Sequence, residues 1–299
     1  MRATEPQPGS AAVPALPHPL VGVVVPTIGR WDLLDGALTA IESQRDVQTQ
    51  IVLVNDSGEP VPEAIANRCI VTSTDNRSGE GRAGEGRARA AGLEMITTEW
   101  VAFCDDDDVW HPHKLKRQLE AMGGRGGWCV CGAELVDADL RPVGRRSADR
   151  VRGLVESGDL LRDLLSHNPI PAGSSTVLVS TDLLRSVGGW DIDLAFFADW
   201  ECWIRLAAAS DPVVVCEDLA LYRQWGGQMI ADRSKAWEAL DHIRRRHHRL
   251  RRQRGVSPLD DRVIAWILAG ELATPGRRLV GAKEAARRLQ PRRWRDLAA

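Results

Sequence analysis

Short apolar runs alternating with amphipathic stretches constrain this chain more than any other feature. Residues 20–25 are apolar and stop at Pro26. Residues 51–54 run into Asn55, Asp56, Ser57 and Gly58, and 70–72 and 100–104 repeat the pattern. Runs this short, closed by turn residues, read as buried strands. Between them, Leu34, Leu38 and Ile41 mark a helix over 32–43. Residues 87–96 read as a second helix, and Leu115, Leu119 and Met122 share one face of a third over 113–122. Alternation over the first ~125 residues implies a parallel α/β sheet with helices on both faces. Beyond it, 128–136 and 174–180 alternate like strands, 197–208 reads as a helix, and 212–216 and 219–223 as strands. Residues 233–254 read as one long basic helix, followed by shorter ones at 260–272 and 281–289.

Charge divides the chain. The formal net charge is −2, but residues 241–299 hold 16 basic and 6 acidic side chains, a net +10. The preceding 240 residues therefore carry −12. An acidic body excludes a nucleic-acid binder coated in positive charge, and the basic run Arg244, Arg245, Arg246, Arg249, Arg251, Arg252 lacks interleaved aromatics. That run fits a solvated amphipathic helix, a peripheral contact with anionic lipid, or docking onto the acidic body or a dimer partner. No stretch approaches the roughly 18 apolar residues of a membrane-spanning helix. Residues 1–19 read as a disordered Pro/Ala-rich tail without signal-peptide character, so a cytoplasmic location, with membrane contact at most peripheral, is expected. Six scattered Cys fit reduced thiols, and the single C-x-C pair, Cys129 and Cys131, makes no zinc site. The excess of Arg over Lys and the 11 Trp follow from GC-rich coding.

Three polar clusters fall at strand carboxyl ends, where open α/β sheets bind ligands: Pro26 with Thr27, Asp56, and Asp105 to Asp108. Four successive carboxylates repel one another. A helix cap explains one of them, Asp108, and not four. A hard divalent cation, Mg²⁺ or Mn²⁺, prefers such oxygen ligands, with phosphate oxygens completing its shell. Asp199, ahead of an apolar helix, reads from residue type alone either as an N-cap or as a catalytic carboxylate.

The segment from Phe103 through Asp105–Asp108 to Leu115 resembles the D-x-D region of family 2 glycosyltransferases with the GT-A fold. Other pieces resemble the same family in order. They are Val23 to Thr27 (first strand and nucleotide loop), Leu53 to Gly58, and Gly86 to Leu93 (the "A-R-N-A-G-L" helix). The last is Gly188-Gly189-Trp190-Asp191 followed by Ala198 to Leu206 ("G-G-F-D … E-D-W-D-L-W-L-R-L"). Together they span roughly 20–230, leaving a tail at 1–19 and a basic helical extension at 231–299. The resemblance implies a GT-A mixed sheet and an inverting transfer from a nucleotide-diphosphate sugar, UDP-sugar first, to an unidentified acceptor. It places Pro26, Thr27, Asp56, Arg89, Asp105, Asp106 and Trp190 at the nucleotide sugar. It makes Asp107, with Asp106, the ligands of a divalent metal, and Asp199 the general base.

Departures keep two other readings open. Ala198 replaces the family's Glu, Ala90 its Asn, and Trp225 the His of "Y-R-x-H", leaving Arg223 as a candidate phosphate contact. A nucleotidyltransferase of similar sheet architecture wants more basic residues near the first strand than the single Arg30. A catalytically inactive nucleotide-sugar-binding protein is the other alternative. The near-doubled Gly79–Arg87 motif reads either as a phosphate clamp through Arg82 or Arg87 or as a surface loop.

Overall fold

Eight parallel register pairs join β1 (Leu20–Thr27) to β2 (Gln48–Asn55), with α1 (Trp31–Glu42) as the crossover. This is a computed structural model, and it describes residues 18–74, 83–124, 126–224 and 233–257. The helices expected at 260–272 and 281–289, Trp225, and most of the Gly/Glu/Arg loop lie outside the described residues. After α2 (Glu63–Ala66), β3 (Ile70–Ser73) adds parallel to β2. The chain then returns through α3 (Glu85–Glu94) to β4 (Trp100–Phe103), which pairs parallel with β1 on its other side. The reversal between β1 and β4 is a topological switch point, where adjacent loops diverge and leave a crevice.

The chain continues through β5 (Val109–Trp110), α4 (Lys114–Met122), β6 (Trp128–Val136), β7 (Pro142–Arg146), α5 (Asp149–Glu156) and α6 (Leu160–Leu164). The described residues continue with β8 (Val177–Ser180), α7 (Thr181–Ser186), α8 (Ala198–Ala209), β9 (Val213–Arg223), α9 (Arg233–Arg246) and α10 (His248–Gln253). Strand order is β3-β2-β1-β4-β8-β6-β9-β5, with β7 beside β6. The fully parallel expectation holds from β3 to β4. β8 then joins β4 antiparallel and makes the sheet mixed.

Apolar faces pack above and below the sheet. Leu34, Leu38 and Ile41 of α1 are fully buried on one side. On the other, α3 lies flush on β1 and β2: a Cβ at Gly92 would sit 2.3 Å from Val24 and 2.9 Å from Val54. Trp128, Trp200 and Trp203 fill the same side, joined by Trp237, Leu240 and Ile243 of α9. No helix among the described residues is long and apolar enough to cross a membrane.

Three elements depart from the sequence reading. Residues 173–176 form a 3-10 turn, and only Val177–Ser180 is strand. β9 is one strand with register shifts where two short strands were expected. The basic helix breaks at His247.

Candidate active site

The carboxyl ends of β1, β2 and β4 open on one cleft at the switch point. Pro26, Thr27, Arg30, Asp56, Glu85, Arg89, Asp105 and Asp106 contribute to its lining. The three clusters singled out at strand ends therefore meet. On one wall Asp56 accepts from Thr74 Oγ1 (2.5 Å) and from the amides of Ala83 (2.8 Å) and Gly84 (3.1 Å).

The acidic run divides its work. Asp105 accepts from Arg89 Nη2 at 2.6 Å and, more weakly, from Ser174 Oγ at 3.4 Å. Asp106 accepts from Thr27 Oγ1 at 2.6 Å and from the guanidinium of Arg30. The same guanidinium meets Asp107 at 2.6 Å. Burial opposes the charge of Arg30, and Asp106 and Asp107 outweigh it, so its pKa is raised. Asp108 turns inward, accepting from Ser175 Oγ (2.5 Å) and the Arg223 amide (3.1 Å). Burial, with Asp105 and Asp107 adding, pushes its pKa well above the carboxylate range. Asp108 therefore ties the acidic loop to β9, and it does not cap α4, whose start has no side-chain cap. Arg223 donates to the carbonyl oxygens of Asp107 (2.9 Å) and Ala138, so its guanidinium braces backbone.

Arg89 is buried on α3 between two carboxylates, 2.9 Å from Glu85 and 2.6 Å from Asp105. Burial works against its charge; Glu85, Asp105 and Asp199 overcome this and raise its pKa. Its guanidinium lies 5.1 Å from the Trp190 ring centroid. Trp190 itself is 4% exposed, edge-on to Phe103 and Trp203. The structure thus places Trp190 in the core beneath Arg89 and outside the cleft lining.

Asp199 sits in the first turn of α8, after Phe197 in the left-handed region at φ 59°. Its Oδ1 accepts from the Trp200 amide at 2.6 Å and its Oδ2 from Asn168 Nδ2 at 3.4 Å. The N-cap position belongs to Phe197, so Asp199 does not occupy it. Burial raises its pKa to about 7, with the Glu85 charge adding and Arg89 opposing. Sequence reasoning assigned no role to Arg30, Glu85 or Asn168. The one usable signal was Arg30, the lone cation in the loop after β1.

Among the described residues no three metal-ligating side chains cluster. The chemistry of Asp106 and Asp107 nevertheless fits a hard divalent cation: two adjacent carboxylates at a cleft already converge on one positive group.

Residues 22–163 match the family model described as glycosyl transferase family 2. The amylovoran biosynthesis glycosyltransferase AmsE of Erwinia amylovora is 25% identical over 217 residues, covering 69% of this chain and 76% of that protein. A relative in Rickettsia prowazekii named as an uncharacterized glycosyltransferase is 23% identical over 200 residues; the match takes in 64% of this chain and 60% of the relative's length. Residues 1–349 of S. aureus TarS, solved with UDP-GlcNAc, superpose with a TM-score of 0.57 at 14% identity, over 90% of this chain and 71% of that one. The mannosyltransferase PcManGT of Pyrobaculum calidifontis, solved with GDP-Man and Mn²⁺, gives 0.55 at 17% identity, over 93% and 83%. The fold is that of the GT-A class. Over residues 22–163 the chain matches glycosyltransferase family 2, and its glycosyltransferase relatives support that assignment.

Proposed function

We propose that the protein is a metal-dependent inverting glycosyltransferase, taking a sugar from a nucleotide-diphosphate donor, UDP-sugar first, to an acceptor hydroxyl. The observation that carries this is Asp199, a carboxylate with its pKa raised to about 7 and coupled through Arg89 to the donor cleft. A base is most effective when its pKa lies near the working pH. Oδ1 is held by the Trp200 amide, so Oδ2 takes the acceptor proton while the hydroxyl oxygen attacks the anomeric carbon. The nucleoside diphosphate leaves from the opposite face, and configuration inverts.

Pro26, Thr27 and Asp56 hold the nucleoside. Three of the roughly four acceptor positions of the Asp56 carboxylate are filled within the chain, which leaves one for a base N–H. Asp105, braced by Arg89, faces the ribose and sugar, with Asp106 beside it. Asp107 and Asp106 are the residues to hold Mg²⁺ or Mn²⁺, which supplies Lewis-acid neutralisation of the leaving diphosphate when bound. Trp190 acts from below, by supporting Arg89. The acceptor approaches over Asn168, which flanks Oδ2. Arg245, Arg249 and Arg252 are exposed and supply the surface for any contact with anionic lipid.

Donor turnover by the Asp199→Asn variant tests the assignment. Loss of about 10²-fold or more in kcat, with donor binding intact, is expected for a general base. Unchanged turnover would sink it. A nucleotide-sugar panel with Mg²⁺ or Mn²⁺ identifies the donor.

A further inference from the structure

The basic C-terminal helices lie beyond the matched region, yet they grip the two carboxylates that bracket Asp199 in the chain. Glu201 is fully buried, two residues along α8 from Asp199. Residues so spaced on a helix point to different sides: Asp199 meets Asn168, and Glu201 meets α9 and its successor. Glu201 Oε1 accepts from His247 Nε2 at 2.9 Å and pairs with the Arg246 guanidinium, whose Nε is 2.9 Å away; Oε2 accepts from Arg205 at 2.7 Å. Arg205 also donates to the carbonyls of Val187 and Gly189, both at 2.6 Å. Upstream, the buried carboxylate of Asp191 meets His242 Nε2 at 2.8 Å and Arg246 at 3.2 Å.

The Asp191 backbone reaches the cleft. A Cβ at Gly86 would lie 1.9 Å from the Asp191 carbonyl oxygen, and the Gly86 amide donates to Leu194 O at 3.0 Å. Gly86 is one residue from Glu85 and three from Arg89, on the helix that lines the donor cleft. One cation would neutralise Glu201. The contacts of His247 and Arg246 are surplus to neutralisation, and their consequence is geometric: they fix the rotation of α8 and the height of the 190–194 loop.

We infer that α9 and α10 belong to the catalytic unit, with Arg246 and His247 as positioning residues that aim Asp199 at the cleft. This rests on the reading of Asp199 as the base. The largest charged influences on Asp199 are Glu85, Arg89 and Asp105, none of them in the clamp, so the clamp bears on its proton by holding it in place.

The test compares the R246Q/H247Q double variant, Arg246→Lys and Asp199→Asn in the full chain. A displaced base predicts a fall of about tenfold or more in kcat for the double variant. It also predicts a donor KM within about twofold, a shifted acid limb of the pH–kcat profile, and substantial rescue in Arg246→Lys. An inactive Asp199→Asn beside a double variant with wild-type kcat and pH profile overturns the inference. An active Asp199→Asn overturns the base reading, and this inference with it. Should the double variant not fold, His242→Gln loosens Asp191 alone. Reduced kcat at unchanged donor KM then supports the clamp, and wild-type kcat and pH profile overturn it.

Discussion

At Asp199 burial and the Glu85 carboxylate hold the pKa near 7, and the sign of the resulting pH dependence follows. The base acts only when unprotonated. Turnover therefore rises with pH through an acid limb near 7 and levels off above it. A pH–kcat/KM profile under saturating metal checks this; an acid limb near 4 instead removes the perturbed carboxylate from the mechanism. Arg30 carries a second prediction. Its guanidinium joins Asp106 and Asp107, so Arg30→Gln leaves two nearly buried carboxylates facing each other. We expect a loss of about 2 kcal/mol in stability without metal. Mn²⁺ should restore more stability to the variant than it adds to the parent, read as the difference in thermal midpoints. Equal Mn²⁺ shifts in the two proteins would count against Asp106 and Asp107 as the metal pair. The Asp run was legible because four carboxylates at a strand end demand a cation. Which cation the fold supplies was not, because Arg30 reaches the run across 76 residues of sequence.

The strands and long helices around the cleft were readable from apolar spacing, since burial alone decides them. α5, α6 and α7 were not, for at 8, 5 and 6 residues they are too short to establish a helical repeat. The break at His247 was equally hidden. A continuous helical pattern runs through it, and only the seat of His247 on buried Glu201 shows why the path changes. α3 was legible in outline, but its closeness to the sheet depends on Gly92. Gly92→Val pushes a branched side chain into Val24 and Val54, where even a Cβ comes within 2.3 Å. Overpacking of this kind costs about 1–3 kcal/mol. Because α3 carries Arg89, donor affinity should weaken alongside the fall in urea midpoint. A variant with parental stability would show that α3 can lift from the sheet freely.

Across the molecule, the −12 body and +10 C-terminal region prove complementary where they meet: Asp191 and Glu201 receive His242, Arg246 and His247. The stability curve should record this. Burial opposes the Glu201 charge, but His247 and Arg205 pull its pKa down to about 2. A depressed carboxylate contributes stability that is full above its ordinary value of 4.5 and is lost as pH falls through about 2. The size of that contribution is about 3 kcal/mol at most. Asp199 has the opposite sign. Its raised pKa makes the folded state hold a proton that the unfolded state releases, so its contribution is full below 3.8 and is lost as pH rises through about 7. From these two groups, stability peaks near pH 4, between the two ordinary values, whereas turnover needs Asp199 ionised and reaches its plateau above 7. The separation is open to thermal unfolding and initial-rate measurements across pH 3–9. Glu201→Gln should flatten the acid side of the stability curve and leave the alkaline side alone, and Asp199→Asn should do the reverse. Coincident optima would mean that Asp199 does not carry its proton into the folded state, and the tension between holding that carboxylate buried and using it as a base would vanish.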